Sequence, residues 1–315
     1  MARKTTVFID GEVGTTGLQI RDRLYGRADL ELVSIAVDKR KDAGARAELL
    51  NGVDVAVLCL PDEAAIQAVS LIKASSKTRV IDASSAFRVN PDWVYGFAEM
   101  DHAQRAKIAA ARRLTNPGCW PQGFIALVKP LIDAGVLAPG VALTYAGVSG
   151  YSGGGKKMIE DYVAKGDSAS AFAPYALTFH HKHLPEMKLY SGTQQDVLFQ
   201  PVVGNFAQGM LTSVPLFAGQ LKSGTTLAQL HYIISAQYEG SRFVTVAPLD
   251  APDTLNPEAL NNSNRMRLSI FGNDIRGQFV LMANYDNLGK GASGAAVQNL
   301  NIMIGADEAA SVDLV

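Results

Sequence analysis

Residues Phe8–Ile20 read FIDGEVGTTGLQI. The run TTVFID, Thr5–Asp10, enters this stretch with the composition of a strand, and TTGLQIRDRLYG leaves it with helical spacing. Between them stand Gly11, Gly14 and Gly17, spaced G-x-x-G-x-x-G, a variant of the dinucleotide fingerprint. In such a turn the first glycine permits the tight bend. The second lets a pyrophosphate approach the backbone, and the third allows the helix to pack closely on the strand. The helix N-terminus adds free N–H groups and positive potential. On this reading Gly11, Gly14, Thr15, Thr16 and Gly17 hold a dinucleotide; the plainer alternative is a generic glycine-rich turn.

The segments that follow keep the same rhythm. LELVSIAV reads as a second strand and KDAGARAELLNG as a second helix. VDVAVLCLP is nearly all apolar, as expected of a strand covered on both faces. A helical EAAIQAVSLIKASS then leads to the strand RVIDAS. Strands alternating with helices through short Gly, Pro and Asp turns predict an α/β, Rossmann-like, doubly wound parallel sheet.

Past Cys119 the texture changes. GVALTYAGVSG, QDVLFQPVVG, GMLTSVPLFAG, RFVTVAPL, RMRLSIFGN and GQFVLMANYDN read as strands of a mostly antiparallel sheet, with helices at FIALVKPLIDAG, KKMIEDYVAKG and LAQLHYIISAQYEG. The expected organisation is a dinucleotide-binding domain over residues 1–117, an α+β catalytic and oligomerisation domain over 118–291, and a last helix, about 292–315, returning to the first domain.

Composition narrows the function. The chain has 315 residues, 48% hydrophobic and 19% charged, with a formal net charge of −1. That excludes a global field that would recruit nucleic acid or an anionic membrane. No apolar stretch approaches the roughly 18 residues of a membrane span, and the N-terminal apolar run is too short for a signal peptide. Two cysteines make no disulfide framework, and no Cys or His spacing suggests a metal site. A cytoplasmic, reduced protein is expected.

The end of the second strand bears on which nucleotide is bound. An acidic residue about 20 residues past the motif grips a ribose 2′-hydroxyl in NAD sites. Here Asp38 stands in that place, but Lys39, Arg40 and Lys41 follow it at once. Three cations suit a 2′-phosphate, so NADP is the expected cofactor. A solvated basic turn is the other reading.

Of the two cysteines, Cys59 lies inside VAVLCLP and reads as a core residue. Cys119 follows Asn116-Pro117-Gly118 and opens a helix-like run. A helix N-terminus stabilises a thiolate, and its N–H groups suit an oxyanion formed when sulfur attacks a carbonyl. A small buried residue that merely packs remains the alternative. Three of the five histidines, His180, His181 and His183, cluster in FHHKHLPEM and offer a base. His102 and His231 sit in helix-like patterns and read as structural.

Taken together, NPGCWPQG, HHKHLPE, DASSAFR and NYDNLGKGASGAAVQNLN resemble the N-acetyl-γ-glutamyl-phosphate reductases of arginine biosynthesis, the shorter second type above all. That family shares fold and chemistry with the aspartate-semialdehyde dehydrogenases. The resemblance runs from Gly11 to Asn301, although Trp120 and Gln122 depart from the common Phe/Tyr and Thr of the larger type. It implies that Cys119 is the nucleophile, His183 the acid/base and His181 an auxiliary, with Glu186 orienting a histidine or the substrate. It further implies substrate contacts from Ser149 and Gly150 in the glycine-rich loop. Asn287, Lys290 and Gly291 would lie on the nicotinamide side of the cofactor site. Ser84 and Arg88 follow a parallel strand, where such sheets bind ligands; Ser84 is a candidate cofactor contact and Arg88 a candidate phosphate or carboxylate contact.

The implied reaction is NADPH-dependent reduction of an acyl phosphate through a cysteine thioester, releasing phosphate, in a homo-oligomer (dimer or tetramer). Three alternatives stay open: an aspartate-semialdehyde dehydrogenase, a serine hydrolase using Ser152 in GYSGG, and a non-catalytic NADP-binding sensor.

Overall fold

The computed structural model describes residues 3–313. Its regular elements, in chain order, begin with β1 (Thr5–Asp10), α1 (Thr15–Leu24), β2 (Leu30–Val33), α2 (Ala43–Gly52), β3 (Val55–Leu58) and α3 (Asp62–Ser70). Next come β4 (Arg79–Asp82), β5 (Val94–Tyr95), α4 (Gln104–Ala110), β6 (Arg113–Thr115) and α5 (Cys119–Asp133). The chain continues through β7 (Thr144–Gly150), α6 (Gly155–Lys165), β8 (Phe172–Pro174), α7 (Leu184–Ser191), β9 (Leu198–Gly204) and β10 (Met210–Phe217). It closes with α8 (Leu227–Gln237), β11 (Val244–Val246), β12 (Met266–Asn273), β13 (Gln278–Tyr285) and α9 (Gly294–Ile304). Two compact units result: residues 1–98, 103–117 and 292–315, and residues 99–102 with 118–291.

The first unit is built on a six-stranded sheet of order β2-β1-β3-β4-β6-β5, parallel throughout. Strand β3 is buried at every position, which is why VAVL carries no polar alternation. One of its cores gathers Phe8, Leu50, Ala56, Leu58, Val80 and Trp93. Order reverses between β1 and β3, so the glycine turn after β1 lies at the topological switch point, where such sheets bind ligands. Helix α9 belongs to this unit, and Arg27 reaches it through Asn301 Oδ1 at 2.8 Å.

The second unit holds a seven-stranded sheet of order β11-β12-β13-β10-β7-β9-β8. Its pairings are antiparallel except β11 with β12 and β7 with β9. Helix α5 is apolar almost all round and correspondingly buried from Trp120 to Val128.

Three expectations shift. LELVSIAV is a strand only through Val33, after which the chain turns into a single 3₁₀ turn at Val37–Lys39. The helix after the Pro-Gly turn begins at Cys119 itself rather than at the apolar run, despite Pro121, because proline is tolerated in a first turn. His102 lies in the turn before α4, not in a helix.

Candidate active site

Cys119 is the first residue of α5, partly exposed, with Gly118 as N-cap and no side chain capping the helix. Two contacts fix this turn. The carboxylate of Glu186, buried in the first turn of α7, accepts the Gly118 N–H at 2.7 Å. The hydroxyl of Tyr285, at the end of β13, donates to the Cys119 carbonyl at 2.8 Å. Glu186 thus staples the turn before the cysteine through its carboxylate.

One cavity of about 240 Å³ opens on Cys119 and is lined also by Trp120, Ser149, Gly150, Tyr175, His181, Lys182 and His183. Five residues singled out from sequence thus meet: Cys119, His181, His183, Ser149 and Gly150. His180 is exposed and does not line it. Ser149 and Gly150 end β7, and the sheet places them there.

The two imidazoles are not equivalent. Their ring centroids lie 4.7 Å apart, and the backbone N–H of His183 donates to Nδ1 of His181 at 3.1 Å. A nitrogen that accepts cannot carry the proton, so a neutral His181 holds it on Nε2 and acts as a donor. His183 is buried and is the N-cap residue of α7. Sequence reading missed Tyr175 and Lys182. Trp120 Nε1 donates to the Tyr175 hydroxyl at 3.0 Å, fixing the cavity wall, and burial raises that phenol well above its usual range.

Other expected site residues carry structural bonds. Gly291 lies directly against Cys119: a Cβ built on it would sit 3.0 Å from the Cys119 Cβ. Lys290, expected beside a nicotinamide, is buried in an ion pair with Glu99, Nζ to Oε2 at 2.7 Å, while its carbonyl accepts Gln122 Nε2 at 2.7 Å. Asn287 is also buried; its amide oxygen accepts Gly209 N–H at 2.8 Å and its Nδ2 donates to Ser152 Oγ at 3.0 Å. Both side chains, expected on the nicotinamide side, carry these bonds within the protein. The same bond bears on the hydrolase reading, because Ser152 meets an amide where a hydrolase needs an imidazole.

In the first unit Gly11 has φ +90°, and a Cβ there would lie 2.3 Å from the Cys59 carbonyl oxygen, so glycine is required. Gly14 caps α1 with no side chain over its N–H groups, and Thr15 and Thr16 open the helix half-exposed. Glu12, inside the turn and missed from sequence, is buried and accepts from Arg40 Nη2 at 2.8 Å and Ser34 Oγ at 3.2 Å. It ties the basic segment to the glycine turn, while Asp38 and Lys39 stay exposed. A bare helix start at the switch point, with a guanidinium held beside it, fits a dinucleotide phosphate.

Ser84 and Arg88 are buried in this unit. Ser84 Oγ donates to Asp82 Oδ2 at 2.6 Å; Arg88 donates to the carbonyls of Asn116 and Ala83, each at 3.1 Å. Arg88 is therefore not a surface arginine, and both side chains are held by bonds within the protein. Cys59 is half-buried; burial, then Asp82 and Asp10, push its thiol up to about 12, which leaves it inert.

The comparisons follow the same division. Residues 119–287 match the semialdehyde dehydrogenase dimerisation domain and residues 37–109 the NAD-binding domain of that family. N-acetyl-γ-glutamyl-phosphate reductases from a Chelativorans species and from Mesorhizobium japonicum are 56% and 54% identical to the chain, over 95% and 96% of it and 97% and 99% of their own lengths. The chain belongs to this family of semialdehyde dehydrogenases. In the solved structures, aspartate semialdehyde dehydrogenase II of Vibrio cholerae, complexed with ASA, superposes with a TM-score of 0.72 at 16% identity, covering 96% of this chain and 99% of that one. The Candida albicans enzyme with NADP gives 0.67 at 15%, covering 96% and 99%. At such identity the likeness is one of fold. Membership brings a nicotinamide cofactor, and an oxidoreductase is the enzyme class.

Proposed function

We propose that the chain reduces N-acetyl-γ-glutamyl phosphate to N-acetylglutamate semialdehyde and phosphate, with NADPH as reductant. The observation that carries this is the convergence of Cys119, His181 and His183 on one cavity at the start of a helix.

The Cys119 thiolate attacks the acyl carbon, the carbon–oxygen bond to phosphate breaks, and phosphate leaves with the electron pair. A thioester on Cys119 results. Backbone N–H groups at the start of α5 hold the oxyanion, Trp120's foremost, since Gly118's is held by Glu186 and Pro121 has none. His181, protonated on Nε2, donates toward the same oxygen, and His183 handles the transferred proton. The N–H groups of Thr15, Thr16 and Gly17 would hold the dinucleotide, with Arg40 as the cation for a 2′-phosphate, and when bound it would supply the hydride for the reduction. Release of the aldehyde breaks the carbon–sulfur bond and returns the thiolate.

The apolar face of the second sheet supports a homo-oligomer. A shallow cavity of about 640 Å³ is lined there by Ala146, Val148, Phe172, Leu177, Leu211 and Met282, and Phe172 is 63% exposed. A second copy covers such a face in a dimer. The cytoplasm, where thiols stay reduced, is the compartment that suits a thiolate enzyme.

The test follows NADP reduction with N-acetylglutamate semialdehyde and phosphate, with aspartate semialdehyde and NAD run in parallel. The acetylated substrate with NADP should be preferred. Cys119→Ala should retain NADP binding and lose turnover by several orders of magnitude, and near-normal turnover in that variant would overturn the mechanism. Preference for aspartate semialdehyde would move the chain to the sister activity.

A further inference from the structure

Lys182 stands between His181 and His183 in sequence and lines the Cys119 cavity with them. It is the one Lys or Arg in that lining, which contains no Asp or Glu. Its side chain is exposed, and among the described residues it makes no ion pair. An exposed ammonium in the lining of a cavity with a thiol and two imidazoles, and no carboxylate among them, offers its charge to an anion.

We propose that Lys182 binds the phosphoryl group of the acyl phosphate, and inorganic phosphate in the reverse direction; this rests on the acyl-phosphate reading of the cavity. The choice of phosphoryl over the substrate's α-carboxylate follows from placement. Lys182 shares its three-residue segment with the two imidazoles that serve the reacting carbon. The phosphoryl group hangs on that carbon, whereas the carboxylate lies at the far end of the glutamyl chain. An ammonium against the phosphoryl oxygens also favours departure of phosphate, because negative charge grows there as the carbon–oxygen bond breaks. Lys182 is thus a substrate-binding residue next to the acid/base pair.

The test compares wild type, Lys182→Ala and Lys182→Arg in the phosphate-dependent oxidation of N-acetylglutamate semialdehyde. Removing a charged hydrogen-bond donor should raise KM for phosphate about 10- to 100-fold. KM for NADP and for the semialdehyde should move less than about threefold, and arginine should restore most of the phosphate affinity. A second readout is the rate of Cys119 alkylation by iodoacetamide. Phosphate should slow it in wild type and fail to slow it in Lys182→Ala.

An active wild type with an unchanged phosphate KM in Lys182→Ala would overturn the assignment and leave the parent reading intact. Protection by N-acetylglutamate but not by phosphate, lost in Lys182→Ala, would overturn it in favour of the carboxylate. A wild type with no phosphate-dependent activity and no phosphate protection would overturn both.

Discussion

The ammonium of Lys290 lies 2.7 Å from the carboxylate of Glu99, and each side chain is only 1% exposed. The pair anchors the π-helical turn Gly289–Ser293, which presents the Lys290 carbonyl to Gln122 and Gly291 to Cys119. Its value is positional, because desolvating two charges offsets most of their attraction. Lys290→Met should destabilise the fold by about 3–5 kcal/mol, since it strands a buried carboxylate. The double variant Glu99→Met/Lys290→Met should recover most of that loss. Chemical denaturation of the three proteins checks it; a double variant no more stable than the single one would contradict the argument.

Glu186 and Gly118 form the second anchor. Glu186→Ala should leave the Gly118 N–H without its acceptor and cost about 1–3 kcal/mol. Turnover should fall with it, because the N-cap of the helix that Cys119 opens loosens. Glu186→Gln keeps a carbonyl oxygen in place and should restore much of the rate. Equal loss in both variants would assign Glu186 a role for its charge rather than its acceptor.

The two cysteines should separate cleanly by reactivity. With its thiol pushed up to about 12, Cys59 should resist iodoacetamide at pH 8. Cys119, at a helix start in an open cavity, should be alkylated. Peptide mass analysis after brief treatment should find label on Cys119 alone, with activity lost in proportion. Label on Cys59 in the folded protein would show that the strand end opens.

Asp82 gives a pH signature. It is fully buried, its Oδ1 has no hydrogen-bond partner, and burial raises its carboxyl from 3.8 to about 6 although Ser84 donates to it. A raised folded value means that the native state binds the extra proton. The contribution to stability is full below about pH 4 and lost as pH rises through 6. Asp82→Asn should therefore be more stable than wild type at pH 8, by on the order of 1–3 kcal/mol, with the gap closing toward pH 4. Urea midpoints at the two pH values measure this; a gap that widens on acidification would contradict the assignment.

Local chemistry made several features readable from the chain. The Gly11–Gly17 spacing, strand before and helix after, announced a parallel sheet and the tight turn at its switch point, because only glycine tolerates that backbone and that approach. The alternation of apolar runs past Cys119 announced a second sheet, since period-two burial is written residue by residue. The partners of Lys290, Asn287, Arg88 and Glu186 were not legible for a common reason: a motif names residue types but not which way a side chain turns. Glu99 and Lys290 lie 191 positions apart, and no periodicity signals that they pair.

By itself, then, the sequence determined the two-sheet architecture and marked Cys119 and the histidine cluster as candidates, because propensity, turn chemistry and motif spacing act over a few residues. Only the tertiary structure decided which His181 nitrogen accepts a hydrogen bond, which polar residues brace the turn around Cys119, and that Lys182 joins the lining of its cavity. Those outcomes depend on partners brought from distant positions and on which charges burial leaves without a counterion.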